Sequence, residues 1–252
     1  MLNTLWRLLL AVAVAGVQGT PATKPITVSA AVSLTDALTA VAAAYARTGG
    51  GVRFNFGASN VLARQIVNGA PVDLFVSADE AQMDVVAAAG LLTGGTRIDL
   101  LRNQLAVAVP NDRPRIFRSI RDLTDPAFRR IATGDPAAVP VGVYAQRYLD
   151  KEGLWAGLQP RIIPAGSARA ALAAVEAGAA DAAIVYRTDI RVSLRATVAW
   201  VVPVESGPRI VYPAAIVRST TADAEARRFL DFLQGAAAAR IFERFGFASA
   251  RP

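Results

Sequence analysis

The sequence predicts an α/β protein built as two lobes, and three features carry that expectation. From residue 26 onward, β-branched or apolar runs alternate with amphipathic stretches, the succession that builds mostly parallel sheets flanked by helices. Beyond Pro110 the texture changes to short segments with frequent proline, and a long extended stretch, 209–217, then returns toward the first lobe, so the chain crosses twice and forms a two-strand hinge. At 252 residues and 53% hydrophobic, the chain can give each lobe a core.

In order, Ile26-Thr27-Val28 is a strand that feeds through small residues into a helix over 34–47. Ser33 stands at the N-cap of that helix and Asp36 at the matching capping-box position. Such a start is also an anion site, because free N–H groups and the positive end of the helix dipole point out of the strand's carboxyl end. Gly49-Gly50-Gly51 turns the chain into a strand over 52–56, and Gly57-Ala58-Ser59-Asn60 opens a helix over 61–68. A second serine therefore begins a helix just after a strand. Residues 72–76 are a buried strand, followed by a helix through 89. Asp73 and Asp79 read as structural, Asp79 as a helix cap and Asp73 as a partner for loop backbone, since neither has a nucleophile beside it.

Strands over 97–101 and 104–110 lead into the second lobe. A short helix at 120–123 and a strand at 130–132 come next, then a helix over 143–150 preceded by Pro140-Val141. A strand at 161–163 and a helix over 170–177, opened by Ser167-Ala168-Arg169, precede the strand 181–186, which ends in Tyr186. A strand at 199–203, the returning stretch and helices over 222–233 and 236–245 complete the chain. The helix starts after Ser33 are likewise rich in small residues, and they can converge on one anion.

There is no Cys and no His, which excludes thiolate chemistry, Cys/His zinc sites, imidazole bases and histidine triads. A nucleophilic Ser33 or Ser59 would lack a base, so no enzymatic activity and no cofactor are expected. The formal charge of +7 is carried almost wholly by arginine, with Lys24 and Lys151 the only lysines. Basic and acidic residues alternate along the helices, a solvated surface rather than a nucleic-acid face. Residues 1–22 have the layout of a secretory signal: a short start ending in Arg7, an apolar run over 8–17, then small residues and Pro21, with cleavage near Gly19 to Ala22. That run is shorter than the roughly 20 residues of a spanning helix, so the expected mature chain is periplasmic and unanchored.

Seven stretches, in this order, carry a resemblance to a known family. They are Ala30-Ala31-Val32-Ser33-Leu34-Thr35, Leu62-Ala63-Arg64-Gln65-Ile66, the run from Gly69 to Asp79, Gly134-Asp135-Pro136, Val139-Pro140-Val141-Gly142, Ile184-Val185-Tyr186 and Arg244-Phe245-Gly246-Phe247. From Ile26 to Phe247 the chain resembles the periplasmic molybdate-binding proteins that serve ABC importers. The resemblance implies the type II periplasmic binding protein fold, with lobe one at 24–105, lobe two at 106–208 and a return to lobe one at 209–252. It implies molybdate, with tungstate beside it, held by the hydroxyls of Ser33, Ser59 and Tyr186 and the backbone amides of Val141 and Ala168, without metal-ion ligands. It also implies a membrane permease as partner and a monomeric chain. Around Ala168 the match is looser, since the family more often has valine there with Asp or Asn before it, and Asn60 stands where serine is more usual. Another tetrahedral oxyanion such as sulfate, or a ligand-sensing domain of a regulator, are the alternatives.

Overall fold

The computed structural model describes residues 24–250, so the expected signal at 1–22 lies outside the described residues. The first half of the chain runs β1 (Ile26–Ala31), α1 (Thr35–Ala46), β2 (Val52–Gly57), α2 (Ser59–Val67), β3 (Leu74–Val76), α3 (Glu80–Ala88) and β4 (Ile98–Asn103). Next come β5 (Leu105–Pro110), β6 (Ile131–Gly134), α4 (Pro140–Lys151), α5 (Trp155–Leu158), β7 (Ile162–Ala165), α6 (Ala168–Glu176), β8 (Ala182–Tyr186), α7 (Arg187–Arg191) and β9 (Ala196–Val201). The chain closes with β10 (Ile210–Ile216), α8 (Asp223–Leu233), α9 (Ala236–Arg244) and β11 (Ala248–Ser249).

Two sheets result, in the orders β11-β4-β10-β3-β1-β2 and β7-β6-β8-β5-β9. In the first, β1 to β4 share one direction and β10 runs against its neighbours β3 and β4. In the second, β6 to β9 share one direction and β5 runs against β8 and β9. Each reversed strand is the one that has just arrived from the other lobe. It enters its sheet at the end where the neighbouring strands finish, so it must run antiparallel to them. Leu105, the first residue of β5, pairs with Tyr186, the last of β8. Ala214 of β10 pairs with Val76, the last residue of β3, which leaves residues 210–212 projecting past β3 toward the other lobe. Both crossing strands are buried along their whole length, which explains their continuous apolar sequence.

The returning segment is packed into the first lobe: the Tyr45 ring of α1 lies 5.0 Å from Phe229 and 5.1 Å from Phe232 of α8, centroid to centroid. Burying rings of this size contributes about 1.5–3 kcal/mol each, so the last part of the chain is integral to the lobe that the first part began. Among the described residues no helix is long and apolar enough to cross a membrane.

Three elements were not expected from the sequence. α5 and α7 span four and five residues, too short to show a helical period, and the two-residue β11 exists only by pairing with Leu101 and Arg102 of β4. One expectation is overturned. Ser33 does not cap α1: it lies inside a 3₁₀ turn, Val32–Leu34, and neither that turn nor α1 has a side-chain cap, because the Ser33 hydroxyl is turned onto Tyr212 instead.

Candidate functional site

The carboxyl ends of β1, β2 and β3 face those of β6, β7 and β8, and between them lies a small cavity. This is where open α/β sheets bind ligands, because loops and helix starts gather at that end. Ser33 and Ser59 line it from the first lobe, and Val141, Ala168 and Tyr186 from the second. All five are 4% exposed or less. Among the described residues, none that lines the cavity is charged. Asn60 is buried but is not among the lining residues.

Each of the five is placed by a local feature. Ser59 is the first residue of α2, and its Oγ accepts the Ala78 N–H at 2.9 Å, tying the helix start to the loop after β3. Val141 follows Pro140, which opens α4, so its N–H belongs to the first turn and has no intrahelical acceptor. A Cβ on Gly142 would overlap the carbonyl oxygen of Gly134, so glycine at this position lets the start of α4 press against the end of β6. Ala168 is the first residue of α6, whose cap, Ser167, accepts the Ala170 N–H at 3.1 Å. Tyr186 ends β8, and its hydroxyl is buried without a hydrogen-bond partner. Burial pushes that hydroxyl well above the usual tyrosine pKa, so it stays protonated. An unmade buried hydrogen bond costs about 1–3 kcal/mol, a penalty that an acceptor in the cavity would relieve.

Both aspartates are structural, Asp79 as the expected helix cap and Asp73 bonded to the backbone of strand β1 rather than of a loop. Asp73 Oδ2 accepts the Thr27 N–H at 2.7 Å, and Asp79 Oδ1 accepts the Gln82 N–H at 3.0 Å as the cap of α3. Two constellations went unnoticed in the sequence. Behind Ser33, Tyr212 Oη lies 3.1 Å from the serine oxygen and accepts from Asn103 Nδ2 at 3.1 Å, while Asn103 also donates to Thr188 Oγ1 at 2.9 Å. Beside Ala168, Arg169 bridges Asp36 of the first lobe and the buried Asp189 of the second. A tyrosine inside the otherwise apolar run 210–217 was the one signal for the first group. The second had no signal, because its members lie 133 and 20 residues apart.

Residues 26–248 match the family model described as bacterial extracellular solute-binding protein. The chain is 39% identical over 227 residues to the molybdate-binding protein ModA of Escherichia coli (strain K12), covering 88% of each. It is 34% identical over 239 residues to the molybdate-binding protein ModA of Haemophilus influenzae, covering 90% of this chain and 91% of that one. Among solved structures, the periplasmic molybdate-binding protein of Azotobacter vinelandii superposes with a TM-score of 0.82 at 28% identity, covering 90% of this chain and 100% of that one.

Proposed function

The chain belongs to the bacterial extracellular solute-binding proteins, and from that premise we propose that it captures molybdate between its lobes and delivers it to the membrane permease of an ABC importer. It carries a solute rather than transforming one. The observation that supports this reading is the buried, unpartnered hydroxyl of Tyr186 in the same cavity as Ser33, Ser59 and the first-turn amides of Val141 and Ala168. A tetrahedral dianion supplies acceptors on every side, and hydrogen bonds to a charged group contribute about 1.5–3 kcal/mol each. Oriented dipoles then neutralise the charge without a cation.

Ligand choice follows from the same groups. Hydrogen phosphate needs an acceptor for its proton and finds donors. Sulfate has no such proton and is disfavoured by its smaller size, whereas tungstate matches molybdate in size and charge and is bound as well. Because the donors come from both lobes, one ion satisfies them all only in the closed form, reached by rotation about the crossings at 103–110 and 206–213. The chain acts outside the cytoplasm as a monomer, without a nucleic-acid partner.

Competition calorimetry with molybdate, tungstate, sulfate and phosphate tests this reading. The expected order is molybdate and tungstate together, sulfate well below them and phosphate last. A preference for sulfate, or no oxyanion binding, overturns it.

A further inference from the structure

We propose that Asn103 and Tyr212, which do not line the cavity, lock the Ser33 hydroxyl as a proton donor and thereby set a preference for fully deprotonated oxyanions. This rests on the reading above, that the cavity takes an oxyanion.

The orientation of each proton follows from one fixed group. The backbone N–H of Gln104 can only donate, and it lies 2.9 Å from Asn103 Oδ1, so the amide oxygen of Asn103 faces it. The amide nitrogen then faces Tyr212 Oη at 3.1 Å and Thr188 Oγ1 at 2.9 Å, and both of its protons are engaged. Tyr212 Oη is an acceptor toward Asn103 and retains its own proton. Its other hydrogen-bond neighbour among the described residues is Ser33 Oγ, 3.1 Å away. Tyr212 is fully buried, and a proton directed anywhere else would be buried unpaired. Tyr212 therefore donates to Ser33, and the single Ser33 proton is left for the cavity.

Ser59 reaches the same state by another route, since its oxygen already accepts the Ala78 N–H. Tyr186 has no partner for its proton, so a ligand oxygen is where that proton goes. All three hydroxyls then favour donating to the ligand, because accepting a ligand proton would leave the hydroxyl's own proton buried without a partner. An oxyanion that carries a proton leaves two donors opposed, and a site built for one hydrogen-bonding pattern rejects the other strongly. For Ser33 the pattern is imposed from the hinge: Asn103 ends β4 and Tyr212 lies on β10, the strands at the two crossings.

Tyr212→Phe tests this. The ring keeps its packing against Tyr186 and Phe247, with centroids at 5.8 and 5.6 Å, but the donor to Ser33 is gone and the serine is free to turn a lone pair toward the ligand. Sulfate and hydrogen phosphate are close in size and differ by the proton, so their affinity ratio isolates the effect, with molybdate titrated alongside. In mildly alkaline buffer the sulfate-to-hydrogen-phosphate ratio should fall by about tenfold or more, the weight of one such hydrogen bond. Asn103→Asp keeps the tyrosine and gives its proton a carboxylate to bind, so the ratio should fall in the same direction, the added charge acting on both dianions alike. If both variants weaken the two anions by the same factor, Tyr212 and Asn103 merely support the fold and the proposal is overturned, while wild-type molybdate binding leaves the function standing. If the wild type instead prefers sulfate to molybdate, the assigned ligand is wrong and the ratio still tests the locking of Ser33.

Discussion

Asp36 of α1 and Arg169 of α6 meet across the cleft, with 2.6 Å between Oδ2 and Nη2. Asp36 lies just beyond the turn that holds Ser33, and Arg169 follows Ala168, so the pair joins the lobes directly beside the cavity. Asp189, on the same lobe as Arg169, holds its Nε at 2.7 Å. Opening the cleft would part Arg169 from Asp36 and leave it on Asp189, already oriented for closing again.

The first expected outcome concerns ligand release. Asp36→Asn removes the charge across the cleft and leaves the Arg169–Asp189 pair intact. With side chains 27% and 43% exposed, the contact is partly screened and contributes about 0.2–1 kcal/mol. Molybdate should dissociate about two- to fivefold faster in stopped-flow fluorescence, with the association rate nearly unchanged and the difference shrinking in high salt. Equal dissociation rates would mean that the pair does not hold the cleft shut.

The second concerns stability against pH. Burial pushes Asp189 from its usual 3.8 up to about 6, with the Arg169 charge working in the opposite direction. Between those values the folded protein binds a proton that the unfolded chain has released, so the contribution of Asp189 to stability declines as pH rises through the window. Asp189→Asn cannot titrate. The stability of the wild type relative to this variant, from urea unfolding at a series of pH values, should fall from pH 4 to 6 and level off above, within about half a unit. A difference that rises across that window contradicts the assignment.

A third contrast separates two hydroxyls of the site. Tyr186→Phe deletes a hydroxyl that makes no hydrogen bond within the protein, so unliganded stability should hold or rise while molybdate binding weakens by about 1–3 kcal/mol. Ser59→Ala orphans the buried Ala78 N–H, so it should lower both stability and affinity. Thermal unfolding with and without molybdate, beside calorimetry, reads both. Normal molybdate binding by Tyr186→Phe would remove Tyr186 from the ligand set.

The fourth concerns binding against pH. No carboxylate or arginine lines the cavity among the described residues, and burial pushes Tyr186 well above the usual tyrosine value. Molybdate affinity should be flat from about pH 7 to 9, below the range where even an ordinary tyrosine ionises. A tenfold change in that window would require another titrating group at the ligand.

Much of the frame was legible because it rests on local chemistry. Alternating apolar runs mark β1 to β3 with their helices, Pro140 marks the start of α4, and Ser167 marks the start of α6. The absence of Cys and His removed whole classes of chemistry, and seven short stretches in order pointed to a family and through it to Ser33, Ser59, Val141, Ala168 and Tyr186. Those five gather around one cavity. What each serine does with its oxygen was not legible. A serine at a helix start reads as a cap, since the nearest donors in sequence are the helix's own N–H groups. Ser33 instead meets a tyrosine 179 residues away and Ser59 an amide 19 residues on. The pairing of Asn103 with Tyr212 across 109 residues, and of Asp36 with Arg169 across 133, depends on how the two crossings bring the lobes together. Sequence alone determined the residue types at the strand ends, because periodicity and turn chemistry act over a few positions. Tertiary structure alone decided which way the hydroxyl protons point and which charges meet, because hydrogen bonds and ion pairs depend on distance in space, and the fold sets that distance.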